Sequence, residues 1–316
     1  MTPGENMQIR TLGKTGLQVT ELCVGTSAIG SMPKTYGYEV AEDRALETLR
    51  RVFHGPITFI DTSNEYGQDG SSERLISTVL RELGGVPEGF LVATKVDPDS
   101  TGDFSGRRVH ASVRESRERL GLDHLPLVYL HDPERISFSE ATAPGGPVEA
   151  MRQMQADGVI GHLGVAGGPI ELLRRYADTG VFEVVITHNR FTLLDRSAQP
   201  LLNDCADAGV AVVNAAPFGS GLLAKGPDVT DRYFYQSAPP QVIEATERIQ
   251  AVCGRHGVPL AAAALQFSLR DPRIASTIVG ITRPERVEQT LELAKLPIPE
   301  SLWHEIDPAP EEVWLS

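Results

Sequence analysis

Short apolar stretches alternate with longer amphipathic stretches along the 316-residue chain. The apolar stretches are nearly continuous rather than alternating in polarity, which is typical of parallel strands covered on both faces. In the first half of the chain they recur about every 35 residues, as repeated strand-helix units do. We count eight of them, at 21–27, 57–63, 90–96, 125–132, 160–167, 182–189, 210–218 and 275–281.

The amphipathic stretches between these runs predict helices, because several begin near Ser, Asp or Pro and end at Gly. The strongest candidates lie at 42–54, 71–83, 106–121, 146–158 and 238–257. Eight strand-helix repeats predict an α/β fold, a (β/α)8 TIM barrel, and we expect one domain over residues 1–316. The opening segment QIRTLGKTGLQVT predicts a β-hairpin, with Lys14, Thr15 and Gly16 at its turn, that closes the bottom of the barrel.

Polar side chains stand at or just after the ends of three successive predicted strands. Asp61 ends the second strand with Tyr66 on the loop after it, Lys95 lies near the end of the third, and His131 lies near the end of the fourth. Active sites of such barrels lie at the carboxyl ends of the strands. We therefore expect these four side chains to meet at one mouth.

The four groups suit proton transfer to or from an oxygen atom. A free tyrosine has a pKa of about 10, and a neighbouring ammonium group lowers it. Lys95 would supply that charge and Asp61 would hold Lys95 through an ion pair, which leaves Tyr66 as the general acid or base. His131 would act as a neutral donor that orients a carbonyl or hydroxyl oxygen.

Composition narrows the class of protein. The net charge of −13 opposes binding to nucleic acid or to anionic membranes. The three cysteines, Cys23, Cys205 and Cys253, are widely spaced, so neither a disulfide framework nor a metal knuckle is indicated. Metal-dependent barrel hydrolases commonly have a His-x-His pair, and this sequence has none. No signal peptide is visible either, so we expect a cytoplasmic protein without a metal ion.

Three stretches resemble the catalytic signatures of the aldo-keto reductase family: FIDTSNEYG, VATKV and LVYLHDP. The resemblance extends from TLGKTGLQVTELCVGTSAIG to IVGITRPERVEQTLE, nearly the whole chain. It implies a (β/α)8 barrel that moves a hydride to or from a nicotinamide. It also implies Tyr66 as proton donor or acceptor, Asp61 and Lys95 as its partners, and His131 as the group that places the substrate.

The second half of the chain resembles one branch of that family, through NRFTLLDRSA, APFGSGLLA and AVCGRHGVPLAAAALQF. This branch contains D-threo-aldose 1-dehydrogenases, also called L-fucose dehydrogenases, with pyridoxal 4-dehydrogenase as a relative. The resemblance implies oxidation of the anomeric hydroxyl of an aldose to a lactone with NAD. Three alternatives stay open: reduction of small aldehydes and ketones with NADPH, oxidation of pyridoxal, and nicotinamide sensing without turnover.

The resemblance also implies an extended nicotinamide cofactor across the barrel mouth, since no Gly-x-Gly-x-x-Gly follows the first strand. Relatives often have Ser-Asn at the end of the fifth strand, where this chain has Ala166 and Gly167. Ile281 replaces a basic residue common in NADP-dependent relatives, which favours NAD, although Arg283 and Arg286 leave NADP open. The implied cofactor contacts are Gly25, Thr26, Asp61, His188, Asn189, Phe218, Gly280, Thr282, Arg286 and Gln289.

The expected partner is a small sugar or carbonyl compound. Aromatic side chains at Tyr233, Phe234 and Tyr235, in the loop 228–240, are candidates to cover it, with Tyr36 and Tyr38 as further candidates. The exact substrate and the oligomeric state cannot be inferred from these residues.

Overall fold

A computed structural model describes residues 7–306 and contains a closed barrel of eight parallel strands. Around the barrel the order is β12-β3-β4-β5-β6-β7-β8-β9. The strands in chain order are β1 (Ile9–Thr11), β2 (Gln18–Thr20), β3 (Leu22–Gly25), β4 (Phe59–Asp61), β5 (Leu91–Val96), β6 (Leu125–His131), β7 (Ile160–Gly167), β8 (Val184–His188), β9 (Ala211–Ala215), β10 (Arg232–Tyr233), β11 (Gln236–Ser237) and β12 (Ile274–Gly280). The predicted α/β barrel is confirmed, and each of the eight apolar stretches contributes one barrel strand.

Helices connect the barrel strands and cover them on the outside. They are α1 (Pro33–Tyr36), α2 (Glu42–Phe53), α3 (Ser71–Leu83), α4 (Gly106–Leu120), α5 (Phe138–Ala141), α6 (Pro147–Ala156), α7 (Ile170–Ala177), α8 (Gln199–Ala208), α9 (Leu222–Lys225), α10 (Pro240–Arg255), α11 (Leu260–Leu269), α12 (Glu285–Lys295) and α13 (Glu300–Ile306). The five predicted helices are confirmed to within two residues at each end. No helix in this part of the chain is long and apolar enough to cross a membrane.

The hairpin β1–β2 lies at the bottom of the barrel, as predicted. Its strands pair antiparallel, with a short 3-10 helix, Gly13–Thr15, between them. Arg10 donates to the carbonyl oxygens of Ile274 at 2.6 Å and Leu269 at 2.7 Å, which joins the hairpin to the start of β12. Leu12 is buried in the apolar cluster that fills the barrel interior, so the hairpin seals the end opposite the strand carboxyl ends.

Candidate active site

The four candidate catalytic residues come together at the mouth of the barrel. Asp61 and His131 end β4 and β6, Lys95 lies one residue before the end of β5, and Tyr66 follows β4 on a loop. The Lys95 Nζ atom lies 2.6 Å from Asp61 Oδ2 and 4.6 Å from the centre of the Tyr66 ring. The Tyr66 and His131 rings meet edge to face, with centres 5.7 Å apart. The juxtaposition expected from the strand ends is therefore present.

Lys95 and Asp61 form an ion pair that is almost completely buried, with 2% and 3% of each residue exposed. Lys95 also donates to the Thr62 carbonyl oxygen at 2.7 Å. Burial raises the pKa of Asp61, and the Lys95 charge opposes that rise. Lysine and aspartate are rarely buried without a partner, and each supplies the opposite charge that the other needs.

The pKa of Tyr66 is raised well above its usual value, which differs from our expectation that Lys95 lowers it. Burial is the largest cause, and the negative charge of Asp61 adds to it. Lys95 is held against Asp61, so the pair presents little net positive charge to the phenol. The side chain of Tyr66 is consequently a neutral phenol at physiological pH, ready to donate a proton.

A second buried pair, which the sequence analysis did not identify, holds His131. The His131 Nδ1 atom lies 2.6 Å from Asp97 Oδ1, and Asp97 is fully buried just beyond the end of β5. The Ser63 hydroxyl and the Glu65 backbone N–H, the latter at 3.1 Å, donate to the other carboxylate oxygen. Burial alone would lower the pKa of His131, but the charge and hydrogen bond of Asp97 outweigh it and raise that pKa. We expected a neutral His131, and Asp97 instead favours the protonated ring.

A pocket of about 1200 Å³ extends from this group of residues to the start of α12. Besides Asp61, seven of the expected cofactor contacts line it: Gly25, His188, Phe218, Gly280, Thr282, Arg286 and Gln289. Two expected contacts do not line the pocket. Thr26 is buried, and its hydroxyl donates to the Asp61 carbonyl oxygen at 2.9 Å. Asn189 is also buried, with its amide nitrogen 3.2 Å from His188 Nδ1.

Ile281 does not face the pocket, because its side chain packs in the main apolar core. The absence of a charge at this position therefore says little about the adenosine end of a cofactor. At the same rim, Gly280 has open space where a side chain would project, and Arg283 and Arg286 are exposed. Neither guanidinium forms a hydrogen bond or ion pair within residues 7–306.

Two loops meet across the pocket through Arg232. Its guanidinium donates to the carbonyl oxygens of Tyr36 at 2.8 Å and Thr35 at 2.5 Å. The Tyr36 and Tyr235 rings meet edge to face at 5.8 Å, and both line the pocket. The other three aromatic residues predicted to cover a ligand differ in their positions. Tyr38 lines the pocket. Tyr233 is buried, and the Phe234 ring meets it edge to face with ring centres 4.7 Å apart.

Comparison with known proteins identifies the family. The sequence model of the aldo/keto reductase family matches residues 21–311. The chain belongs to the aldo/keto reductase family. It is an NAD(P)-dependent oxidoreductase of that family, as the sequence analysis predicted.

Curated relatives of this aldo/keto reductase include several dehydrogenases. The chain is 32% identical to D-threo-aldose 1-dehydrogenase of a Pseudomonas species, over 92% of this chain and 94% of the relative. It is also 32% identical to L-galactose dehydrogenase of Arabidopsis thaliana, over 90% and 87%. Pyridoxal 4-dehydrogenase of Microbacterium luteolum is 28% identical, over 93% and 95%. The fold matches an aldo-keto reductase of Bacillus halodurans with a TM-score of 0.80 and 19% identity, covering 98% of each chain.

Enzymes of this family use nicotinamide cofactors, and the pocket of this chain fits such a group. It is long enough to join Tyr66 to Arg286, and α12 begins at its far rim, where helix N–H groups can receive a phosphate. The Oδ1 atom of Asp61 is buried and has no hydrogen-bond partner among the described residues. An added Cβ at Gly168 would lie 3.2 Å from the His188 ring, so glycine there leaves room for the imidazole at the pocket wall.

Asp97, Ser63 and Asp132 were not predicted from the sequence, although a signal for two of them exists. Side chains two residues apart on a strand share a face. Ser63 follows Asp61 by two residues and Asp97 follows Lys95 by two, so each continues the face of a candidate residue. Asp132 lies 3.7 Å from His131 Nε2 and adopts a left-handed backbone conformation, with φ of 41°, which the sequence does not signal.

Glu65, Asp97 and His131 bring possible metal-ligating atoms within 4.8 Å of one another. Each group already has a partner in this chain. Glu65 pairs with Arg135 at 2.5 Å, and Asp97 binds both Ser63 and His131. The contacts of Glu65, Asp97 and His131 are therefore those of an ion-pair network.

Proposed function

We propose that this aldo/keto reductase oxidises the anomeric hydroxyl of an aldose to a lactone, with NAD as the preferred cofactor. The observation that carries the proposal is the meeting of Tyr66 with two buried acid–base pairs at the barrel mouth. One pair is Lys95 with Asp61, and the other is His131 with Asp97. We propose Asp61, Tyr66, Lys95 and His131 as the catalytic residues.

In this proposal the chain binds the sugar with its anomeric oxygen between Tyr66 and His131. The proton of the hydroxyl passes to the Tyr66 phenolate, while the hydrogen on the anomeric carbon leaves with its electron pair. An oxidised nicotinamide held in the pocket between Tyr66 and Arg286 would supply the acceptor for that hydride. Lys95 stabilises the phenolate, Asp61 holds Lys95 in place, and His131 supports the oxygen as it loses its proton.

Two sets of observations support a sugar as substrate. Relatives at 32% identity are named for oxidation of D-threo-aldoses and L-galactose. Besides the candidate catalytic residues, the pocket is lined by the polar groups of Glu65, Asp132 and Arg135 and by the Tyr36 and Tyr235 rings. Sugars bind such sites well, because their hydroxyls need polar partners while their C–H faces pack on aromatic rings.

The preference for NAD is proposed from the pocket rim. At Gly280 the rim offers no side chain and no charge to a 2′-phosphate.

Arg283 and Arg286 favour the second candidate function, reduction of small aldehydes and ketones with NADPH, since both guanidiniums are free to pair with a phosphate. Pyridoxal oxidation remains a third candidate because of the relative at 28% identity. We also propose that residues 1–316 form one domain and that the enzyme is cytoplasmic.

The test follows nicotinamide absorbance with purified protein, NAD or NADP, and L-fucose, L-galactose, D-arabinose or pyridoxal. We expect rapid reduction of NAD with a sugar. Tyr66→Phe should lower kcat by about 100-fold or more, because the proton acceptor is lost. Tyr38→Phe, which removes an exposed hydroxyl from the same pocket, is the matched control and should keep kcat. Turnover only of simple aldehydes with NADPH would reject the sugar proposal.

The raised pKa of Tyr66 predicts that the rate of sugar oxidation depends on pH. The phenolate that accepts the proton becomes more abundant as the pH rises towards that pKa, so sugar oxidation should accelerate from neutral to alkaline pH. A rate that does not change between pH 7 and 9 in His131→Gln, where the other titrating donor is absent, would contradict Tyr66 as the base.

A further inference from the structure

The carboxylate of Asp97 is fully buried and accepts three hydrogen bonds. His131 Nδ1 lies at 2.6 Å from Oδ1, while the Ser63 hydroxyl and the Glu65 N–H at 3.1 Å donate to Oδ2. Several donors around a buried carboxylate favour its charged form. Burial raises the pKa of Asp97, but the charge and hydrogen bonds of His131 and Ser63 outweigh it, and the net shift is downward. Asp97 is therefore an ionised group that can only accept.

An ionised partner at Nδ1 decides which ring nitrogen of His131 carries the proton. A carboxylate has no proton to give, so the hydrogen bond requires a proton on Nδ1. A neutral His131 would then present a bare lone pair at Nε2, and only the cationic ring has an N–H there. The Nε2 atom lies 3.7 Å from Asp132 Oδ1, beyond hydrogen-bond distance, and the His131 residue lines the pocket.

The charges around His131 favour the cation. Lys95 is already paired with Asp61, and Arg135 is paired with Glu65 and Asp132. His131 is therefore the partner for the buried charge of Asp97. The titratable groups that face or influence His131 come from four strand ends and their loops: Asp61, Glu65 and Tyr66 from β4 and its loop, Lys95 and Asp97 from the end of β5, Asp132 and Glu134 after β6, and His188 from β8.

We propose that Asp97 is a positioning residue that keeps the proton of His131 on Nδ1 and the ring cationic, so that Nε2–H donates to the substrate oxygen. A cationic donor forms a stronger hydrogen bond to developing negative charge than a neutral one does. The inference rests on the proposed catalytic role of His131 but not on the identity of the substrate.

The first test measures His131 directly by ¹⁵N NMR of protein labelled at histidine, with His131→Gln to assign its resonances among the eight histidines. We expect a proton on Nδ1 throughout and a titration midpoint above the usual value of about 6.5. In Asp97→Asn the amide keeps the shape of the side chain but loses the charge, so the midpoint should fall by about one unit or more. The control, Asp99→Asn, removes a carboxylate from the same loop that bonds Thr101 and should leave the midpoint unchanged.

The second test uses reduction of a simple aldehyde, which needs no assumption about sugars. The donor at Nε2 disappears as the pH rises through the pKa of His131, so reduction should decline there in the wild type. In Asp97→Asn the decline should begin at lower pH, and kcat at neutral pH should fall about 100-fold, with little change in cofactor affinity.

Three results would overturn the proposal. One is a neutral wild-type ring with its proton on Nε2, which needs no variant and so stands even if Asp97→Asn fails to fold. The second is an unchanged His131 midpoint in folded Asp97→Asn. The third is a variant that loses thermal stability but keeps kcat and its pH profile, the pattern of a purely structural residue. Failure of sugar oxidation alone would reject the proposed substrate and leave these outcomes unaffected.

Discussion

The Tyr66 phenol lies between two buried pairs whose charges cancel within each pair. Lys95 Nζ contacts Asp61 at 2.6 Å, and His131 Nδ1 contacts Asp97 at the same distance. Because each cation has its own carboxylate, burial and the nearby negative charges outweigh the effect of the cations on the phenol, and its pKa stays raised. Proton transfer at Tyr66 therefore depends on where the two cations lie, and not on a net positive charge around it.

The Lys95–Asp61 pair gives a prediction that separates stability from catalysis. Lys95→Met leaves the Asp61 charge buried without a partner and should lower the free energy of unfolding by about 3–5 kcal/mol. Asp61→Asn/Lys95→Met removes both charges and should recover most of that loss, since both replacements fill similar volumes. Urea unfolding of the two variants checks this. The double variant should still have a kcat about 100-fold or more below wild type. Equal stabilities of the two variants would contradict the prediction.

At the scale of residues, the sequence was sufficient to predict candidate catalytic residues at strand ends. It was not sufficient to predict properties that depend on contacts in the folded chain. Asp61, Lys95 and His131 were predicted because parallel strands finish at the same edge. The Tyr66 pKa was predicted in the wrong direction, because burial and the pairing of Lys95 depend on three-dimensional packing. The direction of the Ile281 side chain also depends on packing, since the folded turn after β12 places it in the apolar core.

Among the connecting elements, the loop after β3 and the loop that carries Tyr66 pack backbone against backbone. A Cβ at Gly30 would lie 2.9 Å from the Tyr66 carbonyl oxygen and 3.1 Å from its carbonyl carbon. Ser71, at the start of α3, donates to the Gly30 carbonyl oxygen at 2.7 Å and ties the two loops together. The position of Tyr66 thus depends on a loop that precedes it by a whole strand-helix unit.

We predict that Gly30→Ala displaces the Tyr66 loop. The clash is with backbone atoms that have no rotamer to change, so the variant should lose about 1–3 kcal/mol of stability and much of its kcat. Gly254→Ala is the matched control, because Gly254 lies in α10 with open space around it. That change should stabilise the protein by about 0.4–1 kcal/mol and leave kcat unchanged. Full activity of Gly30→Ala would show that the loop contact does not position Tyr66.

The helices and strands themselves were the most predictable elements. Continuous apolar runs gave the barrel strands, and amphipathic stretches with Gly after them gave helices within two residues of their observed ends. The short elements α1, α5 and α9 and the β10–β11 pair were not predicted, because each has two to four residues and is stabilised by neighbouring loops. The Arg232 contacts with Thr35 and Tyr36 join residues 196 and 197 positions apart, which no local pattern signals.

Across the whole molecule, the residues that close the barrel and the candidate catalytic residues lie at opposite ends of the barrel. The hairpin seals the bottom through Leu12, Val19 and the Arg10 hydrogen bonds, while the candidate catalytic residues lie at the carboxyl ends of the strands. Barrels tolerate this division because the packed interior between the two ends holds the strands rigidly. A change at the bottom should therefore alter how much protein is folded without altering how the folded protein reacts.

Leu12→Ala tests this division. The side chain is completely buried among residues of the barrel interior, so its truncation leaves a cavity and should cost about 2–5 kcal/mol of stability. At a temperature where the variant is still folded, kcat and the His131 titration midpoint should match those of the wild type, because Leu12 carries no charge and does not line the pocket. Thermal unfolding and steady-state kinetics on the same sample give both quantities. If kcat falls together with stability, the hairpin transmits strain through the barrel to Tyr66, and the two ends are energetically coupled.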